Sequence, residues 1–224
     1  PHLLGSDTFI KDLQSFGNRY GNLNVYIAQS AETTASPFDH DRLTATPITD
    51  KGVAFIQETL RTLDPLLELD FTLVDNRDDS DLSILFAEHA QQNGWGGSTG
   101  GYNYRNDSIE WTANDIVLYS NWWFANSDQA AASESWEYSV PFLHLLGQRL
   151  GLESITNTTD GDSFGDNQLP TTESSLMAFG YPQESGYTQT FYQDIDIEAL
   201  QMIWGKEGNK SGYDTGDLDI SIDP

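Results

Sequence analysis

Apolar residues recur three or four apart at Val53, Ile56, Leu60 and Leu63, one face of a helix that Thr49 can cap and Pro65 must end. Ahead of it, residues 23–29 alternate well enough for a strand. Residues 69–74 and 82–87 predict two more strands, separated by an acidic turn over 75–81, and residues 110–119 predict another. A second long stripe, Tyr138, Phe142, Leu145, Leu146, Leu150 and Leu152, predicts a helix over 134–152 whose termination begins at Gly151. A shorter one, with Ile197, Leu200, Met202, Ile203 and Trp204, predicts a helix over 195–204 stopped by Gly205. Residues 7–20 support at best a short amphipathic helix through Phe9, Ile10, Leu13, Phe16 and Tyr20. Three stretches read as loops: 33–47, polar and broken by prolines; 94–106, rich in glycine; and 155–174, polar throughout. Strand, helix, strand, strand is an α+β opening rather than a regular βα repeat.

A chain of 224 residues, 38% hydrophobic and 12% aromatic, can bury a core as one large domain. Its charge is lopsided: 35 acidic against 10 basic side chains, a formal net charge of -25. That balance excludes nucleic acid and anionic membrane as partners, since both reward Lys and Arg. It suits a protein kept soluble in salt water, and equally one that holds calcium through carboxylates; a solvated acidic face and a calcium protein both stay open. Cysteine is absent, which excludes disulfides, thiolate nucleophiles and Cys-ligated zinc or iron–sulfur sites. No run of about 18 apolar residues occurs, so no membrane-spanning helix is expected. The start at Pro1 without an initiator Met fits a processed product or an excised piece of a larger protein. P-loop, dinucleotide and nucleophile-elbow motifs are missing.

Candidate chemistry concentrates between His144 and Ser154. Positions 144 and 148 lie one helical turn apart, the spacing at which two histidines grip one zinc, and Gly151 permits a turn that brings position 154 back towards the same point. His144, Gly147, Leu150, Gly151 and Leu152 follow the order of the metzincin zinc helix, His-Glu-x-x-His-x-x-Gly-x-x-His, in its serralysin-like form. Downstream, Ser175, Met177, Ala178 and Phe179 look like that family's Met-turn, usually Ser-x-Met-Ser-Tyr, and residues 194–205 look like its closing helix. The run thus resembles a serralysin-like metzincin metallopeptidase over about residues 20–205, with 1–20 as an N-terminal extension or helix and 206–224 as an acidic tail or linker. The resemblance implies an α+β, metzincin/zincin-like fold: a twisted, mostly parallel sheet with an antiparallel edge strand, an active-site helix, a Met-turn and a C-terminal helix.

The departures from the family pattern fall on its chemistry. Leu145 stands where the general-base Glu belongs, Gln148 and Ser154 replace two His ligands, and Phe179 replaces the Tyr that assists the oxyanion. Leu145 cannot take a proton from water, a contribution worth roughly 100- to 10,000-fold. Gln148 and Ser154 are poor zinc ligands, and without the ion there is no Lewis acid. The implied protein is a pseudopeptidase in which zinc is not expected and His144 is a hydrogen-bonded relic. The alternative is a zinc-dependent endopeptidase with a rearranged site, drawing on Glu153, on a carboxylate between Asp160 and Asp166, or on His40 or His89. Met177 implies packing rather than ligation.

With catalysis lost, the resemblance leaves a cleft. Such proteases bind an extended peptide along an edge strand, a neighbourhood that would hold Trp111, Asp115 and Tyr119, with Trp122 and Trp123 close by; core packing is the other explanation for the aromatics. Polypeptide and carbohydrate are the candidate ligands. The expected function is an extracellular binding or adhesion module, secreted or on a bacterial surface; a structural module beside flanking domains of a larger exported protein is the alternative. For calcium, Asp160, Asp162 and Asp166 form one candidate loop, but Phe164 and Thr171 stand where an EF-hand needs ligands. Asp214, Asp217 and Asp219 form a second candidate in the tail, and an ordinary acidic turn fits both.

Overall fold

The stripe through Val53 and Leu60 forms helix α1, Asp50–Leu63, in a computed structural model that describes Leu4 and residues 21–35, 42–87, 97–105, 108–119, 136–153, 175–178 and 191–208. Its predicted face is the buried one: Val53, Ile56, Leu60 and Leu63 are all inside. Thr49 caps it, its Oγ1 accepting from the Gly52 N–H at 3.3 Å, so one of the orphan donors of the first turn is satisfied. Pro65 falls in a short 3-10 turn, Asp64–Leu66, directly after the helix.

The chain divides into two compact units, each assembled from separated stretches: one from Leu23–Arg61, Phe71–Glu134 and Leu218–Pro224, the other from Pro1–Asn22, Thr62–Asp70 and Ser135–Asp217. The first holds a seven-stranded sheet made of β1 (Asn22–Ile27), β2 (Glu32–Ala35), β3 (Arg42–Thr46), β4 (Asp70–Val74), β5 (Leu82–Ala87), β6 (Gly97–Arg105) and β7 (Ser108–Tyr119). The spatial order is β3-β2-β6-β7-β5-β1-β4. β1 and β7 flank β5 in parallel, with Ile84 opposite Ile27 on one side and Ile116 on the other. Val25, Ile84 and Ile116 are fully buried, as the centre of a covered parallel block demands.

Four pairings are antiparallel: β2 with β3, β2 with β6, β3 with β5, and β6 with β7. The mostly parallel sheet with one antiparallel edge strand is therefore corrected to a mixed sheet, in which antiparallel pairings outnumber parallel ones among the described residues. Two segments expected as loops cause this. Residues 42–46 and 32–35 pair as strands through Thr33 opposite Thr44, and residues 97–105 pair with β7 from Gly97 opposite Leu118 to Arg105 opposite Ser108. Only two residues separate Arg105 from Ser108, and a connection that short can join only antiparallel neighbours. Threonine is β-branched and fits a strand without looking hydrophobic; glycine contributes no side chain to any periodicity. The register shift between Thr99 and Gly101 is the irregularity a glycine-rich strand tolerates.

The second unit contains α2 (Trp136–Arg149), a 3-10 turn (Leu176–Ala178) and α3 (Asp194–Trp204). Both helices fall within the predicted positions to within two residues or so, apart from the last turn of the first. α2 is buried all round near its end, where Phe142, Leu143, Leu145 and Leu146 are inside. Leu67, Leu69, Leu150, Leu152, Leu200 and Ile203 belong to the same unit's core. Leu4 forms an isolated antiparallel bridge to Leu152, and the helix expected over 7–20 lies outside the described residues.

Candidate functional site

α2 ends in a Schellman turn. Gly151 takes φ +102°, the Leu152 N–H reaches back to the Gly147 carbonyl at 2.9 Å, and the Gly151 N–H reaches the Gln148 carbonyl at 3.2 Å. The chain thus turns sharply after Leu150, as the glycine predicts, and Glu153 comes in buried behind it. Trp204 of α3 ties the same corner by donating from its indole N–H to the Leu150 carbonyl at 2.8 Å.

On the last two turns of α2, His144 and Gln148 stand on one face with side chains in contact: His144 Nε2 lies 3.2 Å from Gln148 Nε2. Which of the two donates depends on the imidazole tautomer. His144 is buried, and desolvation draws its pKa down to about 4, a backbone hydrogen bond with Leu176 offsetting part of the fall. It is a neutral imidazole at physiological pH. Leu145 beside it is buried among apolar neighbours and carries no proton acceptor.

Below the helix, the turn Leu176–Ala178 is held from α3 by Asp196. That carboxylate accepts from the Ser175 hydroxyl at 2.6 Å, from the Leu176 N–H at 2.8 Å and, at the start of α3, from the Gln193 N–H at 2.9 Å. Ser175 Oγ in turn accepts from the Met177 N–H at 3.0 Å. Burial pushes the Asp196 pKa up, and the hydrogen bonds from Ser175, Leu176, Gln193 and Met177 pull it back in part. Met177 is fully buried against Gly147. Tyr192, also buried, donates its hydroxyl proton to the Leu143 carbonyl, and burial raises its pKa well above the usual phenol range.

The structure thus brings together His144, Gln148, Leu145 and Met177. Ser154, Phe179, Trp122, Trp123 and the calcium candidates Asp160, Asp162, Asp166, Asp214, Asp217 and Asp219 lie outside the described residues. Trp111, Asp115 and Tyr119 lie on β7, but not at a free edge: over Ser83 to Ala87, β5 occupies one side of Asp115–Tyr119, and β6 pairs along the other side as far as Leu118. Strand addition to that stretch has no open ladder. Among the described residues no group of three or more His, Cys, Asp or Glu is placed to hold a metal ion, and no helix is long and apolar enough to cross a membrane. Sequence reasoning missed Asp196 and Tyr192. A signal existed for the first: Gln193 and Asp196 stand three apart at a helix start, the spacing of a capping box, which the structure forms.

No family model and no curated protein matches the chain. Solved structures do, among them a chain of "GM1 bound form of the ECX AB5 holotoxin", 15% identical, covering 89% of this chain and 86% of that one with a TM-score of 0.45. On this finding the serralysin-like metzincin identification is corrected: the likeness found is to a chain of that holotoxin, and no family model matches the chain. The metzincin/zincin architecture and the labels metallopeptidase, pseudopeptidase and Met-turn fall with it. Met177 does sit in a tight buried turn, and Asp196 and Ser175 hydrogen-bond that turn. What stands is a mixed α+β fold, and a likeness this distant says nothing of function.

Proposed function

We propose that the chain is a non-catalytic, exported binding module that works as part of a larger extracellular protein or assembly. The observation that carries the first half is the engagement of His144: its Nε2, the atom a metal or a general-base role would require, faces the Gln148 amide at 3.2 Å inside a buried pocket. The next position in the helix is the apolar Leu145, which carries no carboxylate. The acidity supports an exported setting rich in salt, where a net charge of -25 is screened and keeps the protein away from anionic surfaces. Carbohydrate and polypeptide are the ligand classes in view. Calcium is a further proposal, carried only by the acidic runs around Asp160 and Asp214, and a melting temperature unchanged between chelator and millimolar calcium removes it.

The test is metal analysis and proteolysis on the whole chain expressed with zinc in the medium. The expected result is no stoichiometric zinc and no cleavage of a casein-like substrate. One tightly held zinc per chain together with chelator-sensitive hydrolysis overturns the reading.

A further inference from the structure

β1 and β4 are neighbours in the sheet, and their carboxyl ends open into a cavity of about 510 Å3, flanked by α1. That volume lies inside the range of small-molecule sites, roughly 300–1,000 Å3. The carboxyl ends of neighbouring strands are also where open sheets flanked by helices place their ligands, because the loops leaving the strands diverge there. Ile27, Leu73 and Val74 give the cavity aliphatic walls, and Gln29, Gln57 and Asp75 give it polar groups. None of those three polar side chains makes a hydrogen bond to another described residue, so their donors and acceptors are open to a ligand. Tyr26 and Ser30, which also line the cavity, help to fix the segment after β1. The Tyr26 hydroxyl donates to Glu32 at 2.9 Å and is hydrogen-bonded by Ser30, while Glu32 accepts from Arg77 at 3.3 Å. A frame of that kind lowers the ordering cost of binding.

We propose that this cavity binds a neutral sugar unit. The inference narrows the binding reading above and rests on it. Three features select the ligand. The lining carries a carboxylate and no Lys or Arg, and the chain as a whole is strongly acidic, which excludes phosphate and acidic sugars. The two glutamine amides each offer a donor pair and an acceptor, and sugar hydroxyls, which both donate and accept, satisfy both functions. An organic cation only donates: it would pair with Asp75 and the amide oxygens and leave the two amide NH2 groups with no acceptor on the ligand. The aliphatic walls match the C–H faces of a sugar ring, which a small inorganic ligand lacks.

The experiment is titration of the whole chain with free D-glucose, D-galactose and D-mannose, with neutral oligosaccharides that end in them, and with the diamine cadaverine, read on the glutamine side-chain amide NMR signals. A neutral sugar is expected to shift the Gln29 and Gln57 signals with a Kd of about 1 mM, the strength a few exposed hydrogen bonds supply. Gln57→Leu is expected to weaken it about tenfold, the loss of one such bond, with the thermal melt unchanged. Binding of oligosaccharides alone assigns the ligand to a glycan chain, and of free hexoses as well to a single sugar; either supports the site. No shift by any neutral sugar at about 50 mM, cadaverine as the better ligand, or sugar binding unaffected by both Gln57→Leu and Gln29→Leu overturns it. A chain that stays zinc-free and non-hydrolytic while failing this titration keeps the binding reading and loses only the cavity.

Discussion

Gly147 faces Met177 so closely that a β-carbon on the glycine would lie 2.8 Å from the Met177 sulfur, with Tyr192 Cε1 at 3.2 Å and Leu152 Cδ1 at 3.3 Å. The Met177 side chain packs against the backbone of the helix only because the helix has no side chain at position 147. Gly147→Ala gains up to about 1 kcal/mol of helix propensity and meets overpacking worth about 1–3 kcal/mol on three sides. The net expectation is a destabilised chain, melting several degrees lower. Met177→Ala in the same background removes the closest contact, so the double variant should lose less than the sum of the two single changes. Strict additivity in a double-mutant cycle would show that the close approach costs nothing.

Asp196 holds three partners with two oxygens; an asparagine must either set its amide nitrogen against the Leu176 and Gln193 N–H donors or turn it to Ser175, whose hydroxyl would then have to accept instead of donate. Asp196→Asn is expected to cost about 2–4 kcal/mol, a lost charge-assisted bond plus a buried mismatch. Ser175→Ala removes a single hydroxyl and should cost about 1–2 kcal/mol. Urea unfolding of both variants checks the order; equal costs would mean the carboxylate matters only as the partner of Ser175.

His144 makes stability pH-dependent. In the unfolded chain an imidazole takes up its proton near 6.5, while in the folded chain His144 resists until about 4. Between those values the unfolded chain holds a proton the folded one lacks, so stability is complete above pH 6.5 and falls as the pH drops towards 4, by about 3 kcal/mol in all. Asp196 acts in the opposite sense, because its raised pKa lets the folded chain bind a proton first on acidification. Tyr192, the other titrating group packed at this corner, has its pKa raised and stays neutral throughout, and Arg149 and Glu153 are the buried charged residues nearby in sequence. His144→Gln is expected to flatten the acid limb of a melting temperature profile between about pH 7 and pH 4 relative to the parent. Parallel profiles for the two proteins would place the acid sensitivity elsewhere.

What the sequence made legible was whatever announces itself in one-dimensional periodicity. α1, with its Thr49 cap and its buried Val53–Leu60 face, and the Gly151 turn after α2 are local, so neighbouring residues encode them. β2, β3 and β6 were illegible because their strand character is imposed by partners. Gly97–Arg105 has no apolar alternation to read, and it is a strand because Ser108–Tyr119 lies against it. The candidate site divides in the same way. The i, i+4 pairing of His144 with Gln148 follows from spacing, whereas the clamp on Ser175 from Asp196 joins residues 21 apart, and Gln29, Gln57 and Asp75 come from three elements with no shared motif. The family reading failed on the sheet, where pairings distant in sequence decide the topology.

The two ends of helices that were readable differ in what they should cost to remove. At Gly151 the backbone sits at φ +102°, where an L side chain is strained, and two Schellman hydrogen bonds depend on that conformation. Gly151→Ala must keep the strain or give up both bonds, an expected loss of about 1–2 kcal/mol or more. Thr49→Ala removes one side-chain acceptor at 3.3 Å from an exposed helix start, where water can take its place, so its expected cost is about 0.5–1 kcal/mol, the lower part of the capping range. Gly151→Asn separates strain from contact, because asparagine tolerates the left-handed region best among residues with side chains and should recover part of the loss. Equilibrium unfolding of the three variants ranks Gly151→Ala as the most damaging; a Thr49→Ala chain less stable than Gly151→Ala would show that the turn after α2 relaxes freely into another geometry.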